Sequence, residues 1–176
     1  MKIVVLTGSS RKKGNSNYLA EQFIKGAKDS GHEVFAFDCA KQKFSPCLAC
    51  DHCGINGDCA IKDDFTLILR PQIEQANMVV FASPIYYFGL SAQLKMAIDR
   101  FYALNSKMYS KKSALLVAMA DTADATGSYA VDYYKALVGY LKWKDEGIIV
   151  AKGLWNAGAV VGTSYAEKSY SLGRNI

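Results

Sequence analysis

Four of the five cysteines crowd into thirteen residues, as Cys47, Cys50, Cys53 and Cys59. Three thiols at two-residue gaps can wrap one iron-sulfur cubane, and a fourth from the next bend completes a set of four thiolates, as in ferredoxin runs. The same spacing leaves other chemistries open. Zinc could be held, although zinc sites more often use two separated pairs, and close thiols can also form a reversible disulfide or remain without any group. Pro46, Gly54 and Gly57 suit a tight wrap in each case. His52, inside the same stretch, reads as a bystander rather than a ligand, and Cys39, outside it, as a small buried apolar residue.

A second stretch runs Thr7-Gly8-Ser9-Ser10-Arg11-Lys12-Lys13-Gly14-Asn15-Ser16-Asn17. Its glycines let the backbone curl around an anion. Hydroxyls and free helix N–H groups then donate hydrogen bonds, and Arg11 supplies charge. Ser9, Arg11, Gly14, Asn15, Ser16 and Asn17 are the candidate ligands. The spacing is neither the Walker pattern nor G-x-G-x-x-G, which disfavours triphosphate hydrolysis and a dinucleotide on this loop. A monophosphate fits better.

A third stretch, Ser83-Pro84-Ile85-Tyr86-Tyr87-Phe88-Gly89, joins a fixed proline to three consecutive aromatics. At the end of a strand these cannot all point inward, because side chains alternate, so they offer a flat apolar surface to a planar ring. Pro84, Ile85, Tyr86, Tyr87, Phe88 and Gly89 are therefore candidates for ring contact. His32 reads as a solvated turn residue, and Trp143 and Trp155 as core or as a surface covered by another copy. The tyrosines from Tyr129 to Tyr140 read as packing.

The elements that must position these stretches follow from periodicity. Residues 2–6 form a near-continuous apolar run, as expected of a central parallel strand covered on both faces. Further strands are predicted at 33–37, 78–82, 114–119 and 148–151. They alternate with helices capped at Asn15 or Ser16, at Asp63 or Asp64, and at Ser91, and with helices over 129–141 and 165–172; Pro71 should kink or divide the second helix. Residues 38–62 show no period, and a loop of that length inside a compact domain is usually functional. Five strands alternating with five helices predict one open, doubly wound α/β sheet with helices on both faces and ligands at the carboxyl ends of the strands.

The 176 residues, 51% hydrophobic and 21% charged, fit one domain over 1–176 with a cysteine-rich loop at 39–62. The longest apolar run, residues 114–120, is far short of the roughly 20 that a membrane span needs. The apolar start at residues 3–6 gives way to Thr7-Gly8-Ser9 too soon for a secretory leader, so a cytoplasmic location is expected. A net charge of +5, carried by scattered lysines and arginines, biases the surface toward anionic ligands without forming a nucleic-acid stripe. A receiver-type signalling domain would need acidic residues where Thr7 and Ser83 stand. A low-molecular-weight phosphatase would need a cysteine where Ser9-Ser10 stand.

Gly8-Ser9-Ser10-Arg11 through Gly14-Asn15-Ser16-Asn17, followed by Ser83-Pro84-Ile85-Tyr86-Tyr87 and Leu94-Lys95-x3-Asp99-Arg100, resembles the flavodoxin-like NAD(P)H-dependent FMN reductase family over nearly the whole chain. The cysteine spacing resembles the compact motif of its iron-sulfur flavoprotein branch, and Ile61-Lys62-Asp63-Asp64 fits it too. The resemblance implies five parallel strands in the order 2-1-3-4-5. It also implies FMN with its phosphate on the loop from Ser9 to Asn17 and its isoalloxazine against Pro84 to Gly89, and a homodimer through the helix bearing Asp99 and Arg100, or a dimer of such dimers. Asp121 and Thr122, after the fourth predicted strand, are assigned to the flavin from topology. The expected activity is NAD(P)H-dependent reduction of flavin, quinone or another small acceptor, with no side chain nominated as acid or base. The alternative is an electron-transfer protein linking ferredoxin to FMN through a 4Fe-4S cluster on Cys47, Cys50, Cys53 and Cys59.

Overall fold

The structure, a computed structural model, describes residues 1–176. In chain order the elements are β1 (Lys2–Thr7), α1 (Asn15–Asp29), β2 (Glu33–Asp38), α2 (Arg70–Gln75), β3 (Met78–Tyr86), β4 (Gly89–Leu90), α3 (Ala92–Asp99), β5 (Lys112–Ala118), α4 (Asp124–Tyr140), β6 (Lys144–Ala151) and α5 (Ser164–Asn175). The sheet order is β2-β1-β3-β5-β6, with every neighbouring pair parallel. Counting parallel strands only, this is the 2-1-3-4-5 order. The added strand β4 is a two-residue stub folded back antiparallel on β3.

Side chains of the central strands alternate between two apolar layers, which explains the unbroken apolar run in β1. Val4, Leu6, Val79 and Phe81 face Leu69, Ile73, Leu94 and Tyr134, whereas Ile3, Val5 and Val80 face Leu19 and Phe23 of α1. On that second face α1 and α5 cross closely. A methyl group built on Gly173 would strike the backbone carbonyl of Phe23, and one on Gly26 would strike that of Tyr170. No helix is long and apolar enough to cross a membrane.

Several boundaries differ from the sequence reading. Residue Gly14, not the side chain of Asn15 or Ser16, stands at the N-cap of α1. The helix expected after Asp64 opens as a π-helical turn, Phe65–Leu69, and becomes α-helical only at Arg70, with Pro71 in its first turn. The proline thus divides the helix where its missing N–H costs nothing. Helix α4 begins at Asp124, five residues before the expected start, because Asp121 organises its entry. Strand β6 begins at Lys144, and an irregularity opposite Ser113 and Ala114 hid its polar first half from a pattern search. Ser91 does cap α3, its hydroxyl accepting from the Leu94 N–H at 3.4 Å.

Candidate functional site

The loop between β1 and α1 begins where Gly8 N–H donates to the Ala82 carbonyl (2.9 Å), so the loop leaves the sheet beside the end of β3. Within the loop, Arg11 N–H donates to Ser9 Oγ (3.3 Å), Gly14 N–H to the Arg11 carbonyl (3.0 Å), and Asn17 Nδ2 to the Ser9 carbonyl (3.1 Å). These bonds curl the chain into a cup at the α1 N-terminus, where the helix dipole favours an anion. A methyl group on Gly14 would collide with Ser9 Oγ, so the cup needs glycine there. Ser16 Oγ is buried without any hydrogen-bond partner. An orphaned hydroxyl in a cup of N–H groups fits a bound phosphate.

The cup and the bend after β3 share one crevice of about 270 Å³. Ser9, Arg11, Gly14, Asn15 and Ser16 line one wall, and Pro84, Ile85 and Tyr86 line another. The two stretches singled out in the sequence, some seventy positions apart, therefore meet. Asn17 braces the cup from outside the lining. Its amide spans the loop instead of facing the crevice.

The bend itself divides the aromatic candidates. Tyr87 and Phe88 occupy the two turn positions between Tyr86 and its partner Gly89, with φ of 46° and 68°. Bulky residues in the left-handed region cost about 1–3 kcal/mol each. Such a turn, usually filled by Asn-Gly, aims both rings away from the crevice. Tyr87 is fully solvent-exposed, and Phe88 meets Tyr129 edge-on at 5.7 Å. With Gly89, Leu90, Lys95 and Tyr133 they border a separate aromatic cleft of about 510 Å³. The bend is fixed from below by Ser83, whose buried hydroxyl accepts from Ser91 N–H (2.9 Å) and donates to the Pro84 carbonyl (2.7 Å).

Asp121 and Thr122 do not line the crevice; Ala118, Met119 and Ala120 do. The Asp121 carboxylate instead accepts from the N–H groups of Thr122 (2.7 Å) and Ala123 (3.1 Å) and from the Thr126 hydroxyl. Those bonds, the hydroxyl first, hold its acidity stronger than an ordinary aspartate's.

Two residues of the fourth wall escaped the sequence reading. Leu154 and Trp155, in the segment after β6, face Arg11 and Tyr86 across the crevice. Trp155 is 77% exposed in the single chain, which rules out the core alternative for it. Asn15 holds this segment in place: its Nδ2 donates to the carbonyls of Leu154 (3.1 Å) and Asn156 (2.9 Å), and its Oδ1 accepts from Val160 N–H (3.2 Å). The amide is thus engaged with the protein and is a clamp on the far wall. Arg11 Nη1 adds a bond to the Trp155 carbonyl at 3.4 Å.

The four cysteines lie elsewhere, on the flank beyond α3. Cys47, Cys50, Cys53 and Cys59 all line one cavity of about 540 Å³, together with Leu48, Ile61, Tyr102 and Ala103. Ala49, Asp51, Gly54 and Ile55 have φ between 47° and 68°, so the backbone between the thiols turns repeatedly through the left-handed region. Such turns aim successive N–H groups into a concavity that suits an anionic group. No three of the thiols converge on a point that would hold a single ion. All four line the same cavity, and four thiols are the donor set of an iron-sulfur cluster. His52 is exposed and does not border the cavity. Cys39 is buried, and burial together with the charge of Asp38 pushes its thiol up to about 12.

Arg100, which follows the helix assigned to a dimer contact, is only 1% exposed within its own chain, its guanidinium 4.6 Å from the Phe65 ring centroid, and nothing in the sequence signals that burial. Its Nη1 donates to the Ser45 carbonyl (2.9 Å) and Asp63 Oδ2 (2.9 Å), while the two N–H groups of Nη2 are shared among Thr66 Oγ1 (2.9 Å), Asp63 Oδ1 (3.2 Å), the Ile61 carbonyl (3.3 Å) and Cys59 Sγ (3.4 Å); Nε is buried without a partner. Burial alone would raise the Asp63 carboxyl. The guanidinium and the N–H groups of Ser45 and Thr66 outweigh that and hold it below the usual aspartate range.

A doubly wound parallel sheet with an anion cup on its first loop, facing a second loop at the strand ends, defines a flavodoxin-like α/β protein. An NAD(P)H:quinone oxidoreductase from Methanothermobacter marburgensis has the same fold, with a TM-score of 0.75 over 98% of this chain and 94% of that one at 16% identity. Residues 1–152 match the family model described as NADPH-dependent FMN reductase, and the chain belongs to that family. An iron-sulfur flavoprotein of Archaeoglobus fulgidus is 32% identical over 93% of this chain and 81% of its own length. Another, of Methanocaldococcus jannaschii, is 35% identical over 100 residues; there the match covers 57% of this chain and about half (51%) of the relative.

Proposed function

We propose that the chain is an FMN-dependent oxidoreductase that takes electrons from NAD(P)H and passes them to a small acceptor such as a free flavin or a quinone. The observation that carries the reading is the shared crevice, with the unpartnered Ser16 hydroxyl in its cup. FMN, when bound, supplies a ring whose N5 accepts hydride or electrons.

The chain's own residues bind and orient. Ser9, Arg11, Ser16 and the N–H groups at the start of α1 hold the phosphate dianion. Pro84, Ile85 and Tyr86 give the ring an apolar wall and exclude water from one face, while Asn15 keeps Leu154 and Trp155 against the other side. Tyr87 and Phe88, aimed outward, are available to a planar donor or acceptor approaching from solvent. A cytoplasmic homodimer, or a pair of such dimers, belongs to the same reading. Its contact would run through the helix bearing Asp99, and sedimentation velocity tests it.

The cysteine cavity supports a second element. Cys47, Cys50, Cys53 and Cys59 would hold a 4Fe-4S cluster, since all four line one cavity at ferredoxin-like spacing. With it the chain would pass single electrons between ferredoxin and FMN. One preparation separates the readings: protein purified without oxygen, its absorption spectrum and iron, sulfide and zinc content recorded, then titrated with NADH and NADPH. Bleaching of the flavin by either nucleotide supports the reductase. Iron and sulfide with no nucleotide bleaching favours electron transfer from ferredoxin, and failure to retain FMN contradicts both.

A further inference from the structure

We propose that Arg100 is the positioning residue of the four-cysteine centre, closing its loop at both ends and presenting an N–H to the sulfur of Cys59. The inference rests on the reading of that loop as a cluster site.

The position of Arg100 is unusual in its chemistry. Removing a guanidinium from water costs several kcal/mol unless its charge and its donors are met. Asp63 supplies one negative charge at 2.9 Å; Thr66 Oγ1, in the π-helical turn, takes one N–H, and the other acceptors belong to the flanks of the cysteine segment, with Nε alone unpartnered. Ser45 lies two residues before Cys47, and Cys59 and Ile61 stand at the other end of the loop. A rigid planar fork can serve acceptors on both sides at once, which a flexible ammonium cannot. Phe65 covers the face of the fork at 4.6 Å and fixes its plane. The loop between carries left-handed residues and little regular structure. Arg100 and Asp63, which also accepts from Ser45 N–H at 2.9 Å, tie its two ends together, alongside the Arg70–Asp58 ion pair (3.0 Å) and the bond from Lys43 N–H to Asp64 (2.7 Å). None of these contacts involves the crevice under β3, so removing them should leave FMN retention intact.

The contact with Cys59 gives Arg100 an effect that a mere strut would lack. Hydrogen bonds and positive charge at a ligating sulfur favour the more negative, reduced state of the group it holds. Arg100→Gln should therefore move the cluster's midpoint potential to a more negative value and lower the iron retained per chain. Arg100→Lys, which keeps the charge beside Asp63 without the fork, should fall between the two.

The experiment reconstitutes wild type, Arg100→Gln and Arg100→Lys with iron and sulfide without oxygen, and measures iron per chain, midpoint potential and FMN content. A negative shift in the glutamine variant, partly recovered by lysine, with FMN content unchanged, is the expected result. Equal potentials and equal iron content in all three overturn the proposal. Should the glutamine variant fail to fold, the lysine variant decides, since an unshifted potential there is equally fatal. Wild-type protein that takes up no iron shows separately that the cluster reading has failed, and the proposal falls with it.

Discussion

Replacing Ser16 with alanine should act in opposite directions on the empty and the loaded protein. In the empty protein the Ser16 hydroxyl is buried with no partner. An unpaired buried hydroxyl costs about 1–3 kcal/mol, so its removal should stabilise the chain by up to that amount. For a domain of 150–250 residues each kcal/mol moves the melting temperature by roughly 2–4 °C, and a rise of a few degrees is therefore expected. In the loaded protein the same hydroxyl would donate to a phosphate dianion, a charge-assisted bond of about 1.5–3 kcal/mol. At about 1.4 kcal/mol per factor of ten, its loss should weaken FMN binding roughly 10- to 150-fold. Calorimetric melting of flavin-free protein and quenching of flavin fluorescence on titration read the two effects. Riboflavin, which has no phosphate, is the control and should bind both proteins equally. An alanine variant that binds FMN as tightly as wild type, or that loses riboflavin affinity in parallel, would refute the phosphate assignment.

Asn15→Ala removes three bonds to the segment after β6. A loss on the order of 2–3 kcal/mol is expected, seen as faster proteolysis within residues 152–163 and faster FMN dissociation. Gly173→Ala forces a methyl against the Phe23 carbonyl where α1 and α5 cross. Overpacking of this kind costs about 1–3 kcal/mol, so the melting temperature should drop while FMN affinity stays within error. The Cys39 thiol, pushed up to about 12 by burial and Asp38, remains protonated at pH 8. Timed alkylation read by mass spectrometry should label the exposed Cys47 and Cys50 first and reach Cys39 only after unfolding.

The parts of this protein that were legible in its sequence are those governed by short-range rules. The apolar run of β1 announced a strand buried on both faces, Ser91 announced the start of α3, and Pro71 marked the division between the π-helical turn and α2. The tight turn of the first loop, with its glycines and hydroxyls at the start of α1, was readable because it is built from consecutive residues. What stayed hidden depends on residues distant in the chain. Asn15 looked like a ligand of the cup by its position, yet its amide is taken by Leu154, Asn156 and Val160. Asp121 was assigned to the flavin from topology, yet its carboxylate is taken by Thr122, Ala123 and Thr126 in the turn before α4. Trp155 gave no local sign that it borders the crevice, although its segment follows a strand end, where ligands bind in such sheets. Arg100 is the extreme case: nothing in its own stretch of sequence marks it as buried, and only the return of the cysteine loop buries it.

The account stands or falls on where the flavin sits. Crystals of the protein grown with FMN should place the phosphate within hydrogen-bond reach of Ser9, Ser16 and the first N–H groups of α1, with the ring against Pro84, Ile85 and Tyr86. Density for the flavin in the aromatic cleft beyond Tyr87, or along the cysteine cavity, with the cup left to solvent, would contradict it.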